Sequence, residues 1–182
     1  LFLEYFYSKE AANEYVLGTR SSILNDRPII GYYDVNYSGS GDMYYKGANM
    51  LHTLRQLFND DNKWRSALRG MNEKYYHATV TTEEIENYLS EQLGKDLKPF
   101  FDQYLRTVEI PILQYRLMGN TLLCKWSNTV EDFNMPVRLY VNGKETWVEA
   151  ETHWTPITNI PENAKIKVDK NFYIATLNIM GN

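Results

Sequence analysis

The sequence predicts an α+β fold in which a helical region, residues 1–107, precedes an all-β region, residues 110–182. Three observations support this prediction. Apolar residues recur at helical spacing throughout the first region. From Ile110 onwards they form strand-length runs, which are separated by hairpin-type turns. Pro111 lies where the pattern changes, and proline does not continue a helix. We therefore expect two domains, a helical lobe followed by a β-sandwich.

The helices of the first region carry recognisable start and stop signals. Ser8 predicts the N-cap of a helix that continues through Ile23 and ends before Arg27-Pro28. Thr81 and Glu84 have the spacing of a capping box, and the helix that follows them is expected to end at Gly94. Further helices are predicted at 64–75 and 96–105.

One more helix begins near Asp42, which follows a glycine-rich loop and is expected to be the N-cap. Its predicted buried face consists of Gly47, Met50, Leu51, Leu54, Leu57 and Phe58. Tyr44 then lies in the first helical turn, where backbone N–H groups are unpaired and the helix dipole is positive. A phenol in this setting can donate a hydrogen bond to an oxyanion that forms during a reaction.

The second region contains enough short strands for a β-sandwich of around seven strands. Hairpin turns are predicted at Gly119-Asn120 and at Asn142-Gly143. The predicted strands are 112–118, 121–126, 137–141, 146–150, 165–168 and 172–177.

Composition limits the classes of partner. The net charge of −4 gives no reason to expect binding to nucleic acid. No apolar run approaches the ~18 residues that a membrane span needs, so no membrane span is expected. The single cysteine, Cys124, excludes an internal disulfide and says little about the compartment. The compartment therefore stays open, with a slight preference for a periplasmic or extracytoplasmic location.

The segment Tyr44-Tyr45-Lys46-Gly47, followed by leucines at helical spacing, resembles the Tyr-x-Lys-Gly motif of the aminopeptidase N family of zinc metallopeptidases, the gluzincins. Tyr45 is one departure, because many members have Glu there. The resemblance extends from about Leu1 to Pro111. It continues in the segments at 79–85, 94–97 and 100–105, which read TVTTEEI, GKDL and FFDQYL.

The resemblance implies the helical C-terminal lobe of a thermolysin-like catalytic domain, followed by a β domain. It also implies a zinc-dependent parent enzyme that hydrolyses N-terminal residues from peptides. The tyrosine of the family motif stabilises the tetrahedral intermediate, and this role corresponds to Tyr44. Family members hold zinc with His-Glu-x-x-His and a later Glu. No His-Glu-x-x-His occurs in this chain, and no two of its histidines, His52, His77 and His153, are four residues apart.

We therefore expect a C-terminal fragment that begins after the zinc-binding motif. Such a fragment would bind no metal and would be inactive alone, with the missing N-terminal half of the same protein as its partner. Leu1, Leu3 and Phe6 would then present an apolar face to that half. The three histidines are expected to be structural, and Lys46 is expected to form an ion pair rather than a substrate site.

Two other interpretations stay open. The chain is also compatible with a non-catalytic helical scaffold joined to an immunoglobulin-like binding module. A family member that has lost its zinc and acts as a binding protein would have the same sequence features in this part of the chain. Substrate preference and oligomeric state are not determined by these residues, nor is it determined whether the parent keeps its zinc ligands.

Overall fold

The computed structural model describes residues 2–32 and 39–179, so Leu1 and part of the predicted loop at 28–41 lie outside the described residues. These residues form a mixed α+β fold, as predicted. The helices are α1 Phe2–Phe6, α2 Lys9–Gly18, α3 Asp42–Phe58, α4 Asp61–Lys74, α5 Thr82–Leu93 and α6 Lys98–Arg106. The strands are β1 Ile112–Met118, β2 Thr121–Ser127, β3 Val137–Val141, β4 Lys144–Val148, β5 Thr155–Ile157, β6 Ile166–Val168 and β7 Ala175–Asn178. None of the helices in the described ranges is long and apolar enough to cross a membrane.

Helix α2 begins as predicted but ends early. The side chain of Ser8 caps it by accepting a hydrogen bond from the backbone N–H of Ala11. The helix stops at Gly18 and continues only as a short 3₁₀ turn, Thr19–Ser22, so it is shorter than the predicted helix through Ile23, although it does end before Arg27-Pro28. The hydroxyl of Thr19 donates to the carbonyl of Val16 at 2.6 Å. Such side-chain hydrogen bonds compete with those of the helix and favour its end.

The capping box and the glycine stop of α5 are both confirmed. The hydroxyl of Thr81 accepts from the backbone N–H of Glu84, whose carboxylate accepts in turn from the backbone N–H of Thr81 at 2.7 Å. Gly94 ends the helix in the left-handed conformation, with φ of +80°. These two signals are local, which is why the sequence alone shows them.

The strands form two sheets. One has four strands in the order β5-β2-β1-β7, and the other has three in the order β4-β3-β6. The antiparallel pairs β1–β2 and β3–β4 are hairpins with turns at the predicted glycines, Gly119 and Gly143, both at positive φ. Strand β7 runs parallel to β1.

The boundaries of the later strands differ from the prediction. Strand β4 begins at Lys144 rather than at 146, and β7 begins at Ala175 rather than at 172. The apolar residues Phe172 and Tyr173 are buried, but they belong to a turn before the strand. The backbone of Tyr173 is bonded to side chains of α3 and α6, and the Phe172 ring contacts Trp147 of β4. Strand β5 was not predicted, because it has only three residues and contains Pro156, which is tolerated at a sheet edge.

Buried side chains from both regions belong to one continuous core. Leu54 of α3 and Tyr104 of α6 lie in the same cluster as Leu113 of β1 and Leu139 of β3. The helices end at Arg106 and the strands begin at Ile112. Because the core is shared, the division into domains at 1–107 and 110–182 stays a prediction.

Candidate active site around Tyr44

Tyr44 is the third residue of α3, so it lies in the first helical turn, as predicted. Its backbone N–H donates to the carbonyl of Gly41 at 3.4 Å. Its side chain is 72% exposed. The phenol is therefore accessible from outside and lies at the positive end of a helix of 17 residues.

Asp42 is not the N-cap, contrary to the prediction. It is the first residue of α3, and Gly41 is the N-cap. The Asp42 carboxylate accepts instead from the backbone N–H groups of Leu24 and Asn25, at 2.9 and 2.6 Å. The hydroxyl of Ser40 takes over part of the capping role, because it accepts from the backbone N–H of Asp42 at 3.1 Å. Asp42 is buried, so this contact fixes the start of the helix to the 24–25 segment.

Lys46 is completely buried. Its ammonium group donates to the backbone carbonyl of Thr107, just beyond α6, at 2.9 Å. The predicted ion pair is absent, in that no carboxylate among the described residues lies within 4 Å of the ammonium. Burial lowers the pKa of Lys46, and the negative charges of Asp42 and Glu109 partly oppose this effect.

The residue after Tyr44 is also partly exposed. The Tyr45 side chain is 44% exposed, and its backbone carbonyl accepts from the side-chain amide of Asn49. Consecutive helical residues point about 100° apart, so the two phenols do not share a direction. Tyr45 is therefore a suitable control for Tyr44.

The buried part of α3 includes polar side chains as well as the predicted apolar ones. Met50, Leu54 and Phe58 are buried as predicted, whereas Leu51 is exposed. A second buried stripe is polar and follows helical spacing; its members are Asp42, Lys46, Asn49, Thr53 and Gln56. The same periodicity test, applied to polar residues, would have identified this stripe from the sequence.

The polar stripe contacts the turn that leads into β7. The backbone N–H of Tyr173 donates to the hydroxyl of Thr53 at 2.8 Å. The imidazole of His52 and the side chain of Asn171 form a hydrogen bond at 3.2 Å. The helix that carries Tyr44 is thus held by the β region as well as by α6.

The contacts found for the histidines are with residues other than Tyr44. His52 is buried against Asn171, His77 is exposed beyond the end of α4, and exposed His153 contacts Glu151 at 3.1 Å. Among the described residues, no group of three or more histidine, cysteine, aspartate or glutamate side chains could hold a metal ion.

Helix α1 exposes aromatic side chains. Phe2, Tyr5, Phe6 and Tyr7 are each more than half exposed, whereas Leu3 is half-buried. Phe2 and Phe6 contact each other, with ring centroids 4.6 Å apart. These four aromatic side chains are referred to below as the α1 aromatic face.

The sequence is weakly homologous to an aminopeptidase. Over 84 residues it is 29% identical to aminopeptidase N of Lactococcus lactis subsp. lactis, a match that covers 46% of this chain and 10% of that protein. No family model matches the chain. The homology supports an aminopeptidase-like relationship.

A solved structure has a similar fold. The match is to the crystal structure of Legionella pneumophila aminopeptidase A in complex with aspartic acid, with a TM-score of 0.64 and 17% sequence identity. It covers 90% of this chain and 22% of that one. The chain thus spans between a tenth and a quarter of the length of these two proteins.

Proposed function

We propose that this chain belongs to a zinc-dependent aminopeptidase that removes N-terminal residues from peptides. In this proposal residues 1–107 are the helical C-terminal lobe of a thermolysin-like catalytic domain, and residues 110–182 are a β-sandwich domain. The observation that carries the proposal is the exposed phenol of Tyr44 in the first turn of α3, within the Tyr-x-Lys-Gly motif. The weak homology to aminopeptidase N and the fold similarity to aminopeptidase A support it.

The proposed role of Tyr44 is to donate a hydrogen bond to the reacting carbonyl oxygen. Negative charge develops on this oxygen as the peptide bond is attacked. A donor that is already oriented stabilises this charge without reorganisation, and removal of one such donor lowers kcat by about 10²–10³. The positive end of the α3 dipole favours the same charge.

Zinc is implied by the family resemblance, but the described residues contain no side-chain group that fits it. We therefore assign the zinc ligands to another part of the parent protein. This chain then contributes the hydrogen bond from Tyr44 and the helical lobe that holds Tyr44 in place. It follows from this proposal that the chain alone is inactive.

The α1 aromatic face supports the proposal that another part of the parent protein packs against this chain. Three exposed aromatic side chains on one short helix, with Tyr7 just beyond its end, leave a large apolar area in contact with water. We propose that the rest of the catalytic domain, the N-terminal half of the same protein, packs on this face. The peptide substrate would then be bound between the two parts.

The deciding experiment is Tyr44→Phe in the full-length parent enzyme. The substitution keeps the ring and deletes only the hydroxyl. We expect kcat on aminoacyl arylamides to fall about 10²-fold or more, with little change in KM, in zinc content or in circular dichroism. Tyr45→Phe is the matched control and should be nearly silent. Near-normal turnover of a zinc-loaded Tyr44→Phe enzyme would refute the assigned role.

A further inference from the structure

We infer that Asp42 and Lys46 are positioning residues for the Tyr44 hydroxyl, an inference that rests on the proposed function. Both side chains are buried, and each ties the first turns of α3 to a different segment of the chain. Asp42 accepts from the backbone N–H groups of Leu24 and Asn25, and Lys46 donates to the carbonyl of Thr107.

Helical geometry explains why these two positions control the direction of Tyr44. Asp42 lies two residues before Tyr44 and Lys46 lies two residues after it. At about 100° per residue, each anchor points about 160° away from Tyr44, and the two anchors lie only about 40° apart. They therefore hold the face of the helix opposite the phenol. One anchor lies before the Cα atom of Tyr44 along the helix axis, and the other lies after it.

Apart from the Ser40 cap, the first turn of α3 is restrained by its own backbone hydrogen bonds. The hydrogen bonds that begin the helix, Met43 N–H to Ser40 and Tyr44 N–H to Gly41, measure 3.1 and 3.4 Å. The ends of helices fray readily. A phenol that must stay aligned with a reacting atom needs a more rigid base than such a turn provides.

The chemistry of Lys46 favours a positioning role over a role in stability. Burial of an ammonium group is unfavourable, and an apolar side chain of similar volume is often neutral or stabilising at such a site. A buried ammonium that donates to a backbone carbonyl fixes a distance and a direction, which an apolar side chain does not. Lys46 thus defines the spacing between α3 and the residue that follows α6.

The alternative is that both residues only stabilise the fold. A double-mutant cycle in the full-length enzyme separates the two explanations. The variants are Lys46→Met and Asp42→Asn, each made in the wild-type and in the Tyr44→Phe background. Lys63→Met is the matched control, because Lys63 also donates to a backbone carbonyl, that of Leu93, but from an exposed site on α4.

If the anchors act through Tyr44, Lys46→Met lowers kcat about 10- to 100-fold with KM nearly unchanged, since small misplacements of a catalytic group have effects of this size. The same substitution then causes no further loss in the Tyr44→Phe background. Lys63→Met leaves kcat within about twofold of wild type. Asp42→Asn keeps one acceptor oxygen, so it lowers kcat less, and this loss also disappears in the Tyr44→Phe background. If Lys46→Met does not fold, Asp42→Asn serves as the test instead.

Two results would overturn the inference. One is an unchanged kcat for folded Lys46→Met and Asp42→Asn. The other is an equal loss in both backgrounds, which indicates a structural effect independent of Tyr44. Either result leaves the proposed function intact as long as Tyr44→Phe itself is slow. A fast Tyr44→Phe enzyme would instead remove the proposed function, and with it this inference.

Discussion

Glu4 of α1 and Arg55 of α3 form a two-point ion pair, in which both terminal guanidinium nitrogens donate to separate carboxylate oxygens at 2.9 Å. The Nε of Arg55 also donates to Asp61 at the start of α4, at 2.8 Å. Arg55 and Glu4 are largely buried, with side-chain exposures of 9% and 13%. The hydrogen bond from Arg55 is the main cause that lowers the pKa of Glu4. One guanidinium thus joins the helix that carries the α1 aromatic face to the helix that carries Tyr44.

We predict that Arg55→Met lowers the free energy of unfolding by about 3 kcal/mol, because it removes both close hydrogen bonds to the largely buried Glu4 carboxylate. Only the more exposed Arg65 then remains near Glu4, at 3.9 Å. Urea denaturation of the chain measures this. Lys98→Met is the control, because it breaks an exposed ion pair with Asp102 on α6 and is expected to change stability by no more than about 0.5 kcal/mol. Equal losses for the two variants would contradict the importance assigned to the Arg55 network.

The second prediction concerns Gln103, a buried side chain that joins α6 to the β region. Its amide nitrogen donates to the carbonyl of Glu109 at 2.8 Å, and its amide oxygen accepts from the backbone N–H of Val130 at 2.7 Å. Gln103→Met keeps the length of the side chain but leaves these backbone groups unpaired. We expect a loss of about 1–3 kcal/mol in urea denaturation, because more than one partly buried backbone group loses its partner.

Gln114→Met is the control for this prediction. Gln114 is a glutamine of β1 that is only partly buried and donates to the hydroxyl of Ser127 at 2.9 Å. Its replacement should alter stability by less than about 1 kcal/mol. A Gln103→Met chain as stable as Gln114→Met would show that Gln103 does not connect the two regions in the way the hydrogen bonds indicate.

The third prediction is a pH dependence that arises from His52. Burial lowers the pKa of its imidazole, as do the charges of Arg55 and Arg20, while the hydrogen bond to Asn171 and the charge of Asp169 act in the opposite direction. The folded chain therefore keeps this imidazole neutral at pH values where the unfolded chain protonates it. Stability is unaffected above the unfolded pKa of about 6.5 and is lost as the pH falls from there through the lower folded pKa.

We expect His52→Gln to reduce the slope of stability against pH just below about pH 6.5, where one such group contributes up to about 1.4 kcal/mol per pH unit. Urea denaturation at a series of pH values measures the slope. His153→Gln is the control, because His153 is exposed beside Glu151. A slope that is unchanged in His52→Gln, or one that falls only in His153→Gln, would show that a different group is responsible.

Several local signals were read correctly from the sequence, whereas contacts between distant residues were not. The capping box at Thr81 and Glu84, the stop at Gly94 and the turn at Gly143 each depend on neighbouring residues, and the sequence predicted all three. The α+β class followed from the change of period near Ile110. Strand β5 escaped prediction because its pairing with β2 depends on residues more than 30 positions away.

The candidate site shows the same division. The position of Tyr44 in the first turn of α3 could be predicted, because it depends on the motif and on helical spacing. The functions of Asp42 and Lys46 could not, because their partners, Leu24, Asn25 and Thr107, are set by tertiary packing. Asp42 has the sequence signature of an N-cap, but its carboxylate is used to hold another segment instead.

The last prediction concerns Gly70 in the interior of α4. A Cβ atom at this position would lie 2.5 Å from the hydroxyl oxygen of Tyr88, which donates to the carbonyl of Ala67 at 2.9 Å. Alanine is favoured over glycine within a helix by about 1 kcal/mol. The contact reverses this preference, because the Tyr88 ring is buried and cannot move without disturbing the packing between α4 and α5. We expect Gly70→Ala to lower stability by about 1–3 kcal/mol in urea denaturation.

Two further variants identify the cause. Gly18→Ala places a Cβ in α2 where no atom of the described residues lies within 4 Å, apart from the adjacent residues and the backbone of the same helix, and it should raise stability by up to about 1 kcal/mol. In the Tyr88→Phe background the clashing oxygen is absent, so Gly70→Ala should become neutral or stabilising there. If Gly70→Ala is equally harmful with and without the Tyr88 hydroxyl, the contact with that hydroxyl does not explain why glycine is needed at this position.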